Sequence, residues 1–406
     1  MKKNWLLRSL SILGPGIVTA ALVFGPSKMT ITSKMGADYG FALLWVIVVA
    51  IFFMLIFTNM GARIGQHNDD SLLTLIRQKI GKFASLFIGG GIFLVAISFQ
   101  AGNSTGVGIA LGEATGSDAR LWIVLFNLVG ISLLFFRSFY KVLEKLMLGL
   151  VILMLICFVV TLIVIKPSLS SVGVGFIPHI PEGAIGLVVA FMASCFSLVG
   201  AFYQSYLVQE KRRGQSSDAA PQAHAQLSST IGILILGIMS AVVLICAASV
   251  LNPQGVKVKS ASDMAMALEP LFGPFASHLF LVGLFGASFS SLIGNAVLGG
   301  SMLGDALGLK GNLNNKYVKM LIAVVMVFGA IISLIFSHLP LELIVLAQSV
   351  TIFLVPFTGI AIYWIANSKE IMGAHKNNLF QKIVGLLGIL LVIGLALLNI
   401  NVLLLS

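Results

Sequence analysis

The sequence predicts an all-α polytopic membrane protein of eleven transmembrane helices. Three observations lead there. Of 406 residues, 58% are hydrophobic and only 10% are charged, with a mean hydropathy of +1.05. Soluble domains carry about a quarter charged residues and cannot hide this much apolar surface. Eleven segments approach the roughly 20 apolar residues a span requires. The basic residues fall mainly on one side of those segments. This composition excludes a soluble enzyme, a secreted disulfide scaffold and a disordered chain.

The segments run over about 10–35, 40–62, 83–112, 120–136, 143–165, 184–209, 228–251, 274–303, 317–337, 341–366 and 379–404. The loops between them are too short to fold separately, so 1–406 reads as one transmembrane domain. With the N-terminus inside, nineteen of the 25 Lys and Arg are cytoplasmic, five are outside, and Lys28 lies within the first span. That asymmetry obeys the positive-inside rule and sends the C-terminus outside. The net charge of +11 therefore reflects a lipid bilayer as partner, not nucleic acid. The basic start (Lys2, Lys3, Arg8) leads into a first span, not a cleavable signal. Cys157, Cys195 and Cys246 lie in apolar runs without metal spacing.

Two spans look interrupted. In the first, the apolar run stops at Gly25-Pro26-Ser27-Lys28, and Met29 to Lys34 is polar. The preceding fourteen residues would reach only about 21 Å as helix, short of a ~30 Å core. Pro26 lacks a backbone donor and Gly25 weakens a helix. In the sixth, Ser194, Ser197 and Gly200 break a run that continues into Phe202. Each break alone also fits a proline kink or a polar packing face. Their five-span separation is the arrangement of a transporter binding site between repeats.

At these residues the chain resembles the NRAMP family of proton-coupled divalent-metal transporters. Leu13-Gly14-Pro15-Gly16 resembles its opening LGPG, and Gly36-Ala37-Asp38-Tyr39-Gly40 with Leu43-Leu44-Trp45 resembles its GAxxGxxLLW. Ala62-Arg63-Ile64-Gly65, Val142-Leu143-Glu144, Ala287 to Ser291, and Leu343 to Phe357 continue the likeness in order. The resemblance implies a LeuT-type fold: two inverted five-helix repeats, about 10–166 and 184–367, and an extra helix, about 379–404. It also implies secondary active transport with protons as coupling ion. Where the family carries DPGN, this chain has Gly25-Pro26-Ser27-Lys28. Where it carries MPHN, alignment back from Gln204 gives Ser197-Leu198-Val199-Gly200. Gln100 and Asn103 fall where helix three carries acids, and Gln348 matches a family residue near the metal site.

All fourteen Asp and Glu fall at span ends, which leaves Gly25, Pro26, Ser27, Lys28, Ser197, Gly200 and Gln348 as substrate-binding candidates with neutral oxygens and one cation. Manganese and iron sites use carboxylate, imidazole or thioether ligands. The expectation is therefore a lost metal site and a small polar or anionic organic solute as substrate; the alternative is a divalent metal ion held atypically. Lys28 has three readings: it snorkels to the surface, it is a fixed charge at the break, or it carries a proton. Gln100 and Asn103 either line the cavity or glue helices together. The six histidines read as surface groups. No P-loop supports ATP-driven transport, no nucleophile–base set supports an enzyme, and no cofactor is called for. A non-transporting sensor on the same fold is the remaining alternative.

Overall fold

The computed structural model describes residues 24–134, 137–195, 199–214, 222–309, 315–337 and 340–405, and among them the regular structure is helical. The principal helices are α1 (Pro26–Tyr39), α2 (Leu44–His67), α3 (Leu72–Lys79), α4 (Lys82–Thr115), α5 (Ala119–Leu133), α6 (Arg137–Ile165) and α7 (Ile185–Cys195). They continue as α8 (Val199–Gly214), α9 (Gln222–Val250), α10 (Ala276–Ala306), α11 (Lys316–Ile335), α12 (Pro340–Thr351), α13 (Val355–Asn367) and α14 (Leu379–Leu405). Lipid offers no backbone partners, so each crossing must satisfy its own amides, and helices do this alone. Seven described helices are long and apolar enough to cross a membrane, and the pair α12 and α13, bent by 41°, makes an eighth. Shorter apolar helices lie at Ala119–Leu133 and Gly149–Ile165.

Lipid tails are as apolar as leucine, so helices associate through close packing. Small residues set that packing here. A Cβ placed on Gly61 would lie 2.2 Å from the Ala201 carbonyl oxygen, and one on Gly65 2.2 Å from that of Ser205. The Gly-x-x-x-Gly spacing of α2 thus lets the backbone of α8 approach directly. Gly36 does the same for α1 against α9, its Cβ position lying 2.3 Å from the Leu244 oxygen. Between α4 and α10, Gly89 faces Ala306 and Gly299 faces Ala96.

Polar contacts tie both ends. At the end holding the 66–71 loop, Gln209 donates to the Asn68 and Asp70 carbonyls at 3.0 and 2.6 Å. Arg212 donates to Gln66 and Asn68 carbonyls at 2.7 and 2.9 Å and pairs with Asp69. At the opposite end, Glu113 accepts from the Ala261 and Ser262 amides at 3.0 and 2.9 Å.

The structure departs from the sequence expectation in two places, and parts of the first and sixth predicted spans lie outside the described residues. Residues 10–23 of the first predicted span lie outside the described residues, and the polar run from Met29 to Lys34 is regular helix inside α1. Thr32 donates its hydroxyl to the Lys28 carbonyl at 2.7 Å, whereas the buried Thr30 and Ser33 hydroxyls find no partner among the described residues. The tenth predicted span is bent at residues 352–354, where Pro356 opens α13. The sixth is represented by α7 and α8, which flank residues 196–198; Ser197 lies outside the described residues.

Candidate functional site

The site is built around the start of α1. Gly25 is its extended N-cap, with φ −82° and ψ −174°, and Pro26 occupies the first turn. Proline suits this position because its missing N–H would have no helical partner there. No side chain caps the helix and no acid lies in its first turn. The expected unwinding of Gly25-Pro26-Ser27 is therefore confined to Gly25 among these residues. Pro26 and Ser27 are helical, because a fixed proline φ favours helix from that residue onward.

This first turn lies in a groove made by glycines of α4. A Cβ on Gly106 would meet Pro26 Cβ at 2.8 Å and Ser288 Oγ at 2.4 Å. A Cβ on Gly102 would lie 3.3 Å from Ser27 Oγ. On the other side, a Cβ on Gly25 would lie 2.9 Å from Ser291 Oγ and 3.6 Å from Asn103 Oδ1. Gly25, Pro26, Ser27 and Asn103 thus come together with Ser288 and Ser291 of α10. Asn103 is buried and its Nδ2 has no hydrogen-bond partner among the described residues. An unpaired buried donor costs about 1–3 kcal/mol, so a group that accepts from it would be bound favourably.

Lys28 turns the other way. It is 1% exposed, which overturns the snorkelling reading. Its Nζ donates to Ser194 Oγ at 2.8 Å and to Cys195 Sγ at 3.0 Å, and stands 5.0 Å from the Phe191 ring centre. Those three residues lie on the last described turn of α7. Burying a cation in a membrane protein costs several kcal/mol unless it is paired or hydrated. Here a hydroxyl, a thiol and an aromatic face offset that cost without a carboxylate.

Gln348 is buried in α12, one turn beyond Ile344, which borders Gly102; α12 packs against α1, α4 and α7. Gly200 lies in the first turn of α8, with nothing within 4 Å of its Cβ position. Gln100 departs from the group. It packs on Gly329 of α11 and donates to Asn127 Oδ1 at 3.5 Å. Asn127 in turn donates to Ser104 at 3.0 Å and to the Ile123 carbonyl at 2.8 Å. Gln100 therefore glues α4 to α5 and α11, and only Asn103 faces the break.

Sequence reasoning missed the roles of Phe191, Ser194 and Cys195. Their signal was the unpaired Lys28 itself, which required partners somewhere in the apolar core. Ser194 and Cys195 end the apolar run of the sixth span, where such partners are scarce. Among the described residues, no group of three or more His, Cys, Asp or Glu is arranged to hold a metal ion.

Comparison with known proteins bears on the whole of this arrangement. Mhp1, a nucleobase-cation-symport-1 family transporter, shares the fold with a TM-score of 0.60 at 15% identity, covering 96% of this chain and 93% of its own. A manganese transporter from Eremococcus coleocola superimposes with a TM-score of 0.78 at 20% identity, covering 96% of this chain and 85% of that one. In sequence, the divalent metal cation transporter MntH of Deinococcus radiodurans is 26% identical over 376 residues, 90% of this chain and 84% of its own length. Metal transporter Nramp6 of Arabidopsis thaliana is 24% identical over 393 residues, 93% of this chain and 74% of its own. The family model described as natural resistance-associated macrophage protein-like matches residues 16–403. A family match over nearly the whole chain, on a fold shared with these transporters, makes this chain a membrane-embedded member of the NRAMP family and not an enzyme.

Proposed function

We propose that the chain is a secondary active transporter whose substrate is a divalent metal ion, with protons as coupling ion. It would span a cytoplasmic membrane eleven times as two inverted repeats and an extra helix, with the N-terminus inside and the C-terminus outside. The observation that carries the reading is the continuous family match over residues 16–403. The relatives it aligns with are named for divalent metal cations and for manganese, so their substrate class replaces the organic solute as the leading expectation. The donors available near the start of α1 are Ser27 Oγ, Ser291 Oγ, Asn103 Oδ1 and the Gln348 amide. Hard oxygens suit magnesium and manganese.

One specific observation favours the second reading, a small polar or anionic solute. The Lys28 ammonium is buried one residue from Ser27. At an effective dielectric of about 20, a unit charge 4 Å from a divalent ion contributes roughly 8 kcal/mol of repulsion. Calorimetric titration of the purified protein with manganese, ferrous iron and magnesium separates the readings. Saturable metal binding that Ser27→Ala or Gln348→Leu removes supports the metal substrate. No metal binding, together with carboxylate binding that Lys28→Met removes, overturns it in favour of the anion.

A further inference from the structure

Phe191, Ser194 and Cys195 stand at i, i+3 and i+4, so they share one face of the last turn of α7. Each presents an electron-rich group to a single point: a ring face, a hydroxyl oxygen and a sulfur. The Ser194 hydroxyl donates to the Phe191 carbonyl at 2.7 Å, which leaves its lone pairs directed outward as acceptors. The cradle is neutral; among the described residues none of the three ion pairs involves Lys28. A hydroxyl oxygen, a sulfur and a ring face converging on one point form a cation-binding arrangement.

We propose that the face of α7 formed by Phe191, Ser194 and Cys195 is a seat for one monovalent ammonium-type cation, and that the chain fills it with its own Lys28. The seat is supplied from a helix 166 residues away in sequence, so the tether joins the first turn of α1 to α7. Resting on the reading of the start of α1 as part of the substrate site, this gives the transporter a built-in positive charge beside Ser27. A free ion has no place in this seat while Lys28 holds it. Loss of the lysine should open it to alkylammonium ions that replace the missing Cγ to Nζ chain.

Chemical rescue in the full-length protein tests this through thermal stability, a readout independent of what is transported. Lys28→Ala should lower the Tm. Propylammonium should restore most of that loss saturably, while propanol and tetramethylammonium should not. The wild type and Lys28→Met, whose seats are filled, should show no such shift. An equal response of the wild type and Lys28→Ala to propylammonium, or no response of a folded Lys28→Ala, would overturn the proposal. If Lys28→Ala does not fold, a double-mutant cycle between Lys28→Met and the pair Ser194→Ala with Cys195→Ala decides. Strong coupling supports the seat, and additive losses of Tm refute it. A metal-binding failure would leave all these outcomes unchanged, so the two readings fail separately.

Discussion

Removing the Asp305 carboxylate should loosen one end of the helix bundle. Asp305 closes α10 and is 5% exposed. Its Oδ2 accepts from Ser71 Oγ at 2.6 Å and from the Tyr206 hydroxyl. Ser71 is the N-cap of α3, and Tyr206 belongs to α8. One carboxylate therefore holds three elements together at the end that the basic residues assign to the cytoplasm. Hydrogen bonds to a charged group contribute about 1.5–3 kcal/mol each. Ser71 keeps a contact with the Thr74 side chain at 2.8 Å after the carboxylate is gone, so the lower half of the sum applies, about 3 kcal/mol. At 1.4 kcal/mol per tenfold, that is roughly a hundredfold in the local opening equilibrium. Hydrogen exchange of amides in 66–75 and 203–212 should therefore rise by about that factor in Asp305→Ala. Asp305→Asn, which keeps an acceptor but loses the charge, should fall between. Unchanged exchange in a folded Asp305→Ala would show that this end is held by the Gln209 and Arg212 contacts instead, and the reasoning would fail.

Gly65→Ala should cost about 1–3 kcal/mol through overpacking, because the new Cβ would lie 2.2 Å from the Ser205 oxygen; the drop in Tm in detergent measures it, and Gly90→Ala, with open space at its Cβ position, is the control. Asn127→Leu should lose about 1–3 kcal/mol, since it leaves Ser104 and Gln100 without their shared partner. Adding Gln100→Leu should return part of that stability, and a double mutant worse than the sum of the singles would contradict the assignment of Gln100 as glue. Tags at Met1 and Ser406 should be accessible from opposite sides of the membrane, and same-side labelling would remove the eleven-span topology.

Helix positions were legible because lipid imposes one rule on every crossing. The predicted run 317–337 is α11, Lys316–Ile335, and the run 379–404 is α14, Leu379–Leu405. Apolar length alone placed both. The bend in the tenth span was not legible by the same rule, because residues 341–366 remain apolar enough overall for one crossing. Its signal was local: Thr351 turns its hydroxyl onto the Gln348 carbonyl at 2.7 Å, and Pro356 follows. Both divert backbone bonding from a continuous ladder. The polar run from Met29 to Lys34 misled for the opposite reason. It reads as a weakened flank, but the Thr32 hydroxyl bonds within the helix, and Gly36 lets α9 cover the run.

The direction of Lys28 was beyond the sequence for a geometric reason. Successive residues of an α-helix point about 100° apart, from 3.6 residues per turn. Ser27 faces the glycines of α4, whereas Lys28 faces the end of α7, because α1 starts at Pro26. Helix starts read from sequence are uncertain by one or two residues, so the facing wall is undetermined by 100–200°. A helix beginning one residue later would turn Lys28 toward the wall that Ser27 meets. What the sequence does carry is the demand: a lysine among apolar residues needs acceptors, and the fourteen acids all lie at span ends. That demand excludes a carboxylate partner and leaves hydroxyls, sulfur and aromatic faces. The structure supplies one of each, on a single turn of α7.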